Sequence, residues 1–582
     1  MKLIARYLGK YRKLVALSIF IKLLGTVAEL MLPYILEHII DHVVPIDNLA
    51  QVLGWGLMMF AAAVICRQLN VLANRQAIEN AHNISYDVRQ ALFVKTMNLS
   101  GGSFDLFGLP SIISRMTSDS YNVQSAVQQF QTLCVRAPMT LVGGVIVSMV
   151  MDFQLSLILL VMLPFLLLVI LLVSAKGIPM YSKVQQRLDT LIRIMREDIA
   201  GIRVVKALSK TEYEKRRFAQ ANQTLADSDI TAATLMALPG PFMQVCVNAG
   251  LALVVFFGAQ RVNAGQIEPG VILAFLTYFN MIAMGVMGVS RIFMTMSRAS
   301  ASANRIDAIL HTETNQPVLN ETQAQKPTGG GFIRFEGVSF CYGGDKADGA
   351  GEEQREKALS DISFTIKKGE SLGIIGPTGC GKSTIINLLM RFYDVDSGGI
   401  FLDGRDVRTY DRDDLRKRFG TVFQNDLVFH DTLRENIDFG RGLSDCAIRG
   451  AAKNAMAAEF IDEFPFGFGH EACIKGANLS GGQKQRLLIA RALAASPEIL
   501  VLDDSSSALD YKTDANMRGA IEQNYPDTTL ILIAQRVSSV MGMDKILVMD
   551  NGKCVGYGNH EELLRDCPAY RETYEIQMGA LT

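Results

Sequence analysis

Before residue 300 the chain carries six long apolar segments, at roughly 14–40, 50–73, 130–151, 155–175, 238–260 and 270–297. Each approaches the ~20 residues a helix needs to cross the hydrocarbon core of a bilayer. The clearest is Leu155 to Ala175, an uncharged run interrupted only by Pro164, which a membrane helix tolerates. The weakest is the third, because the polar stretch Tyr121 to Gln131 runs directly into it. The 49% hydrophobic content and single Trp agree with membrane content, and 582 residues are too many for one core, so two or three domains are expected.

Six spans return both termini to one side, and loop charge gives the side. The first thirteen residues hold Lys2, Arg6, Lys10, Arg12 and Lys13 and no acid. The connection after the fourth span carries Lys176, Lys183, Arg187, Arg193, Lys206, Arg216 and Arg217, whereas the opposite loops carry Asp41, Asp47, Asp152 and Glu268 with Arg261 near an edge. Positive-inside bias therefore predicts cytoplasmic termini on a multi-pass protein of the plasma (bacterial inner) membrane. Leu3, Ile4, Tyr7, Leu8 and Tyr11 set against the bases suit either an interfacial helix on the inner leaflet or a plain flanking anchor. The basic start lacks a small-residue cleavage site and is not read as a cleaved signal peptide. A formal net charge of -1 excludes a strongly basic nucleic-acid binder, and no nucleic-acid partner is expected. Nine scattered cysteines lack metal-ligand spacing and read as reduced thiols.

Residues 74–129 and 176–237 are polar yet helical in period, and read as extensions of the membrane helices into the cytosol. They bend at Gly101-Gly102, Phe104-Asp105 and Gly108-Leu109-Pro110, and again at Gly201 to Lys206. After a polar linker ending in Gly329-Gly330-Gly331, short apolar strands alternate with helices. The expected organisation is a membrane all-α domain (1–311) with six transmembrane helices, a linker (312–331), and an α/β P-loop domain (332–582).

The α/β part carries the strongest chemistry. Strand Ser371 to Ile375 runs into Gly376-Pro377-Thr378-Gly379-Cys380-Gly381-Lys382-Ser383-Thr384 and then a helix from Ile385 to Phe392. Such glycines let backbone N–H groups close around phosphates at a helix N-terminus; Lys382 would reach the β and γ phosphates, and the Ser383 hydroxyl would ligate Mg²⁺. A second anion site is expected where Leu479-Ser480-Gly481-Gly482-Gln483 opens another helix. Two γ-phosphate sites in one domain make sense only if domains pair head to tail, each covering the other's nucleotide.

Taken together, Tyr342, the phosphate loop, Gln424, Leu479 to Gln483, Leu502-Asp503 and Ser507-Ala508-Leu509-Asp510 stand in the order found in an ABC exporter half-transporter, which the chain resembles along essentially its whole length. The resemblance implies ATP and Mg²⁺ as cofactors. It implies Tyr342 stacking on adenine, Gln424 contacting the metal and sensing the membrane domain, Asp503 holding the magnesium shell, and Ser507 to Asp510 crossing the interface between paired domains. The two bends resemble coupling helices, and Arg115 to Asp119 and Gly201 to Lys206 match the family there.

The departures fall on hydrolysis. Asp504 stands where the family carries a Glu that orients the attacking water, and Gln535 where it usually carries a His. The shorter side chain moves the carboxylate by about 1–1.5 Å, enough to cost on the order of a hundredfold in rate. Gln535 can still hydrogen-bond a γ-phosphate but carries no charge and shuttles no proton. ATP binding should survive both changes. The pattern matches the degenerate-site half of a heterodimer, in which Ser480, Gly482 and Gln483 complete the hydrolytic site of a second half-transporter chain. A slowly hydrolysing homodimer is the alternative. His470 to Gly476 matches the family's cross-talk stretch only loosely, and Gly343 to Lys357 reads as a surface insertion.

The expected partners are the lipid bilayer and an amphipathic small-molecule, peptide or lipid cargo. Met281, Met284, Met287, Met294 and Met296 could form an adaptable wall for it or a packed helix interface. Glu29, inside the first span, could bind a cationic group or a proton, or pair with a polar group of a partner chain. An ATP-gated or ATP-sensing subunit, and an importer built on the exporter fold, remain as other function classes.

Overall fold

A computed structural model of the chain describes residues 2–312, 316–320, 329–343, 357–505 and 509–579. It divides into two compact units, one of Met1–Met97 and Pro110–His311, the other of Asn98–Leu109 and Thr312–Thr582.

The first unit is helical throughout. Helix α1 (Lys2–Lys10) ends at Tyr11, after which α2 (Arg12–His38) begins. Leu3 and Ile4 of α1 are buried, and Lys10 and Tyr11 both donate to Asp87, at 2.6 and 3.0 Å. Helix α3 (Leu49–Met97) is 49 residues long, about 73 Å at 1.5 Å per residue, so it extends well past any bilayer as the polar periodicity predicts. Helix α4 (Gly101–Phe107) falls in the second unit, and α5 (Leu109–Ser114), α6 (Ser120–Gln131) and α7 (Leu133–Met151) continue the first. Helix α8 (Phe153–Ala200) is again a single long element, with Pro164 and Pro179 inside it. The short α9 (Ile202–Ala207) caps the second bend before α10 (Thr211–Ala237), α11 (Pro239–Asn263) and α12 (Pro269–His311).

Among the described residues five helical stretches are long and apolar enough to cross a membrane: Arg12–Ile46, Leu49–Met97, Leu109–Met151, Thr211–Asn263 and Pro269–Val289. The span expected to be clearest, Leu155 to Ala175, lies within α8, whose described head Phe153–Val169 is apolar. Leu30, Leu155, Leu159, Val254, Phe275, Tyr278 and Phe279 form the core of this unit. Small residues let the helices close: a Cβ on Gly144 would lie 2.8 Å from Ile282 and one on Gly250 2.2 Å from Phe279.

The second unit is built on two sheets. Strands β1 (Ile333–Phe340), β2 (Leu359–Ile366), β4 (Ser397–Leu402) and β5 (Arg405–Asp406) form an antiparallel sheet in the order β2-β1-β4-β5. Strands β3 (Ser371–Ile375), β6 (Phe419–Val422), β7 (Ile499–Asp503), β8 (Thr529–Ile533), β9 (Lys545–Asp550) and β10 (Lys553–Gly558) form the other, in the order β10-β9-β3-β8-β7-β6. All of its pairs are parallel except β9–β10. Strand β7 is buried along its whole length, as a parallel strand covered on both faces must be. Ligands bind such sheets outside the carboxyl ends of the strands. Here β3, β7 and β8 end at the phosphate loop, Asp503-Asp504 and Ala534-Gln535.

The first bend belongs to this unit. Gly101 N–H donates to the Phe392 carbonyl at 3.1 Å, and the Tyr393 hydroxyl donates to Asp105 Oδ2 at 2.6 Å. A Cβ at position 101 would lie 2.8 Å from both the Phe392 oxygen and the Tyr393 ring, so this approach requires glycine.

Candidate functional site

The phosphate loop joins β3 to α13 (Lys382–Leu389), with Gly379 and Gly381 at positive φ, 84° and 96°. Gly376 is forced: a Cβ there would meet the Met549 carbonyl at 2.2 Å. Lys382 Nζ donates to the Gly376 and Pro377 carbonyls, at 2.8 and 2.7 Å, which folds the ammonium over the loop. Cys380 is buried beneath it, and burial pushes its thiol up, with the Lys382 charge opposing.

A cavity of about 450 Å³ opens over this loop, lined by Tyr342, Lys357, Ala358, Thr378, Gly379, Gly381, Lys382, Ser383, Thr384, Gln424, Asp503, Asp504, Ile533 and Gln535. Most of the residues expected from sequence to bind nucleotide thus meet at one place. Gly376, Pro377 and Cys380 shape the loop from behind, and Ser480 to Gln483 do not line this cavity. Lys357, Ala358 and Ile533 were not singled out from sequence. Lys357 closes the charge-rich stretch read as an insertion, residues 344–356 of which lie outside the described residues.

Tyr342 OH donates to Thr384 Oγ1 at 3.1 Å and accepts from Asn387 at 3.2 Å, which fixes the ring at the mouth of the site. Its edge meets Tyr393 with ring centroids 5.2 Å apart at 85°, so Tyr393 touches both the aromatic at the cavity mouth and Asp105 of α4. Nothing in the sequence pattern marks Tyr393.

Ser383 Oγ donates to Asp503 Oδ2 at 2.7 Å. A hydroxyl and a carboxylate at one locus beside a phosphate loop form a donor set suited to Mg²⁺, which takes one or two protein oxygens and completes its shell with phosphate and water. Burial holds the Asp503 carboxyl above the usual carboxylate range, and the neighbouring Asp504 charge pushes the same way against the Ser383 hydrogen bond and Lys382.

Asp504 follows at φ 50°, a left-handed conformation that Asp tolerates better than most side chains. Its Oδ2 accepts from Gln535 Nε2 at 3.1 Å and from Gln424 Nε2 at 3.4 Å. The two substituted positions therefore bond to each other, and Gln424 joins them. A neutral amide occupies the place where a protonatable ring is usual, and the lone pairs that would take a proton from water are partly engaged.

Ser480 caps the helix Gly481–Leu493 in a reciprocal box with Gln483: Ser480 N–H donates to Gln483 Oε1 at 2.9 Å and Gln483 N–H to Ser480 Oγ at 3.2 Å. The Gly481 and Gly482 amides are thereby held at a preformed helix start. Asp510 caps the helix Tyr511–Asn524 through Thr513 N–H at 2.9 Å, while Ser507 and Ala508 lie outside the described residues.

Comparison with known proteins agrees with this architecture. Residues 15–287 match the family model for the ABC transporter transmembrane region and residues 359–507 the model for the ABC transporter. The chain is 33% identical over 98% of its length to an uncharacterised ABC transporter ATP-binding protein of Mycobacterium tuberculosis (strain CDC 1551 / Oshkosh), covering 97% of that protein. It is 34% identical to the uncharacterised ABC transporter ATP-binding protein YfiB of Bacillus subtilis, covering 98% of each. In fold it is similar to a bacterial Atm1-family ABC exporter solved with ATP bound, at a TM-score of 0.80 and 23% identity, over 97% of this chain and 99% of that one.

Proposed function

This chain belongs to the ABC transporter family, with membrane and ATP-binding domains fused, and on that premise we propose that it is the degenerate-site half of a heterodimeric exporter of amphipathic compounds, peptides or lipids. The observation that carries the reading is the Gln535–Asp504–Gln424 hydrogen-bonded set, which leaves the carboxylate beside the β7 strand end in the grip of neutral amides. In this reading ATP occupies the cavity over the phosphate loop, with Tyr342 against adenine, Lys382 turned to the β and γ phosphates, and Ser383, Gln424 and Asp503 around Mg²⁺. Mg²⁺ would neutralise phosphate charge there. Asp504 and Gln535 would turn ATP over slowly, and Ser480, Gly481, Gly482 and Gln483 would complete the partner's hydrolytic site.

The exposed apolar tip of α9, with Ile202, Val204 and Leu208, supports a second chain: it offers a surface for a partner's ATP-binding domain, while α4 stays with its own. The placement in the plasma membrane with cytoplasmic termini, and the division at 311 and 331, belong to the same proposal. The deciding experiment measures ATPase activity of the purified chain alone and with candidate partner chains. Near-silence alone with turnover restored by a partner supports the heterodimer; brisk turnover alone that stops on Asp504→Asn replaces it with a homodimeric exporter.

Two further outcomes follow from the geometry. Lys382→Ala is expected to weaken trinitrophenyl-ATP binding about 10- to 100-fold, the worth of one or two charge-assisted hydrogen bonds. Tyr393→Phe removes the bond to Asp105 but keeps the ring against Tyr342. It is expected to leave ATP turnover within about twofold while lowering substrate transport per ATP severalfold, measured in inverted vesicles.

A further inference from the structure

The membrane unit holds a charge cluster on α2, α3 and α7 that no sequence motif marks. Glu29 accepts from Arg136 Nη2 at 2.6 Å, so its partner lies in its own chain rather than in a cationic cargo or a second subunit. Lys22, two helical turns earlier on α2, is buried and donates to Asn70 Oδ1 at 2.7 Å and Asn74 Oδ1 at 3.2 Å. Both acceptors are neutral amides. Gly25 leaves room for Asn70, since a Cβ there would stand 3.0 Å from its Nδ2. Asn70 is held in turn by donating to the Cys66 carbonyl at 3.0 Å. Seven residues apart on one helix, Lys22 and Glu29 stand on the same face of α2. Among the described residues this cluster thus holds two cations, Lys22 and Arg136, and one carboxylate, Glu29, which Arg136 engages.

Depth makes the imbalance matter. Counting 1.5 Å per residue from Asp41 on α2's side and Asp152 after α7, Glu29 lies about 18 Å and Arg136 about 24 Å from the outer ends of their spans. Both fall inside a hydrocarbon core about 30 Å thick, in the half nearer the N-terminus, and Lys22 at about 28 Å marks its inner edge. At the depth of Arg136 and Glu29 charge is costly, and ionisable side chains held there mark substrate pathways. Arg136 keeps 48% of its side chain exposed, and among the described residues Glu29 is its one carboxylate, so the rest of the guanidinium fork can take a second acceptor.

We propose that Lys22 and Arg136 form an anion-recognition site in the membrane unit, and that the transported amphipath carries a phosphate or carboxylate group that shares Arg136 with Glu29. The proposal rests on the transporter reading above and names its substrate class. Glu29 is the counter-charge that keeps the site from holding its anion too tightly, and the apolar tail of the ligand lies along the spans.

The test uses the full chain in phosphatidylcholine nanodiscs without ATP, so its failure leaves the ATP-driven reading standing. Bound 11-dansylaminoundecanoate is displaced with dodecyl phosphate, dodecanol or dodecylammonium. Dodecyl phosphate is expected to compete about tenfold or more better than dodecanol. Lys22→Gln and Arg136→Gln should each erase most of that preference, and Glu29→Gln, which removes the opposing charge, should strengthen phosphate binding severalfold. Glu29→Gln keeps the test decisive if either cation variant fails to fold. Adding phosphatidylglycerol identifies the source: suppressed competition assigns the site to an anionic lipid headgroup, and unchanged competition to a water-soluble amphipathic anion. Equal competition by phosphate and alcohol, preference for the ammonium, or weaker phosphate binding in Glu29→Gln overturns the proposal.

Discussion

Ser480→Ala is expected to lower ATP turnover by the complex of this chain with its partner about 100-fold or more, while ATP binding to this chain's own cavity stays unchanged. Ser480 caps the helix Gly481–Leu493 and with Gln483 holds the glycine amides in place for an anion. Removing one preorganised donor from the site where charge develops costs on the order of 10²–10³ in rate. Loss of the cap also costs stability, about 1 kcal/mol, so the measurement pairs turnover with a thermal melt of the variant. Asp504→Asn in the same complex should change turnover by less than about twofold, because in the split-site reading the carboxylate beside this chain's own nucleotide does little chemistry. Equal losses from both substitutions would sink the asymmetric assignment.

The converse experiment is a gain. Asp504→Glu together with Gln535→His is expected to raise turnover by the chain alone by about 100-fold. The longer side chain recovers the roughly 1 Å that the shorter carboxylate loses, and an imidazole replaces the amide that now donates to Asp504 Oδ2 at 3.1 Å. Neither change alone should recover the whole effect, since the two side chains are hydrogen-bonded and their contributions couple. Single-turnover hydrolysis of ATP by the four proteins of this cycle measures it, and additive or absent gains would place the block elsewhere in the site.

Gln424 adds a consequence that the two substitutions do not show separately. Its amide reaches Asp504 at 3.4 Å, so the residue expected to sense the membrane domain is tied to the carboxylate at position 504. Tyr393 makes a second link, from the ring of Tyr342 to Asp105 of α4. The cavity mouth and the first bend are thus joined through one aromatic side chain within a single compact unit.

How the chain is organised was legible in its linear order because the signals are local. A span is a run of apolar residues, a phosphate loop is a fixed spacing of glycines before a helix, and both survive without knowledge of what lies nearby. Even so, hydropathy averages away single charges, and Lys22 disappeared inside the first apolar segment for that reason. Glu29 could be read as functional, but its partner lies 107 residues on, and no periodicity joins α2 to α7. The same holds at the nucleotide site. Asp504 and Gln535 stood out as two separate departures, whereas their bond spans 31 residues and the one from Gln424 spans 80. A hydrogen bond is decided within about 3 Å, and which residues come that close depends on strand order and register. Strands β7 and β8 run parallel with Asp503 opposite Ile533, which sets Asp504 beside the turn carrying Gln535. The residue types were written in the chain; their meeting was made by the sheet.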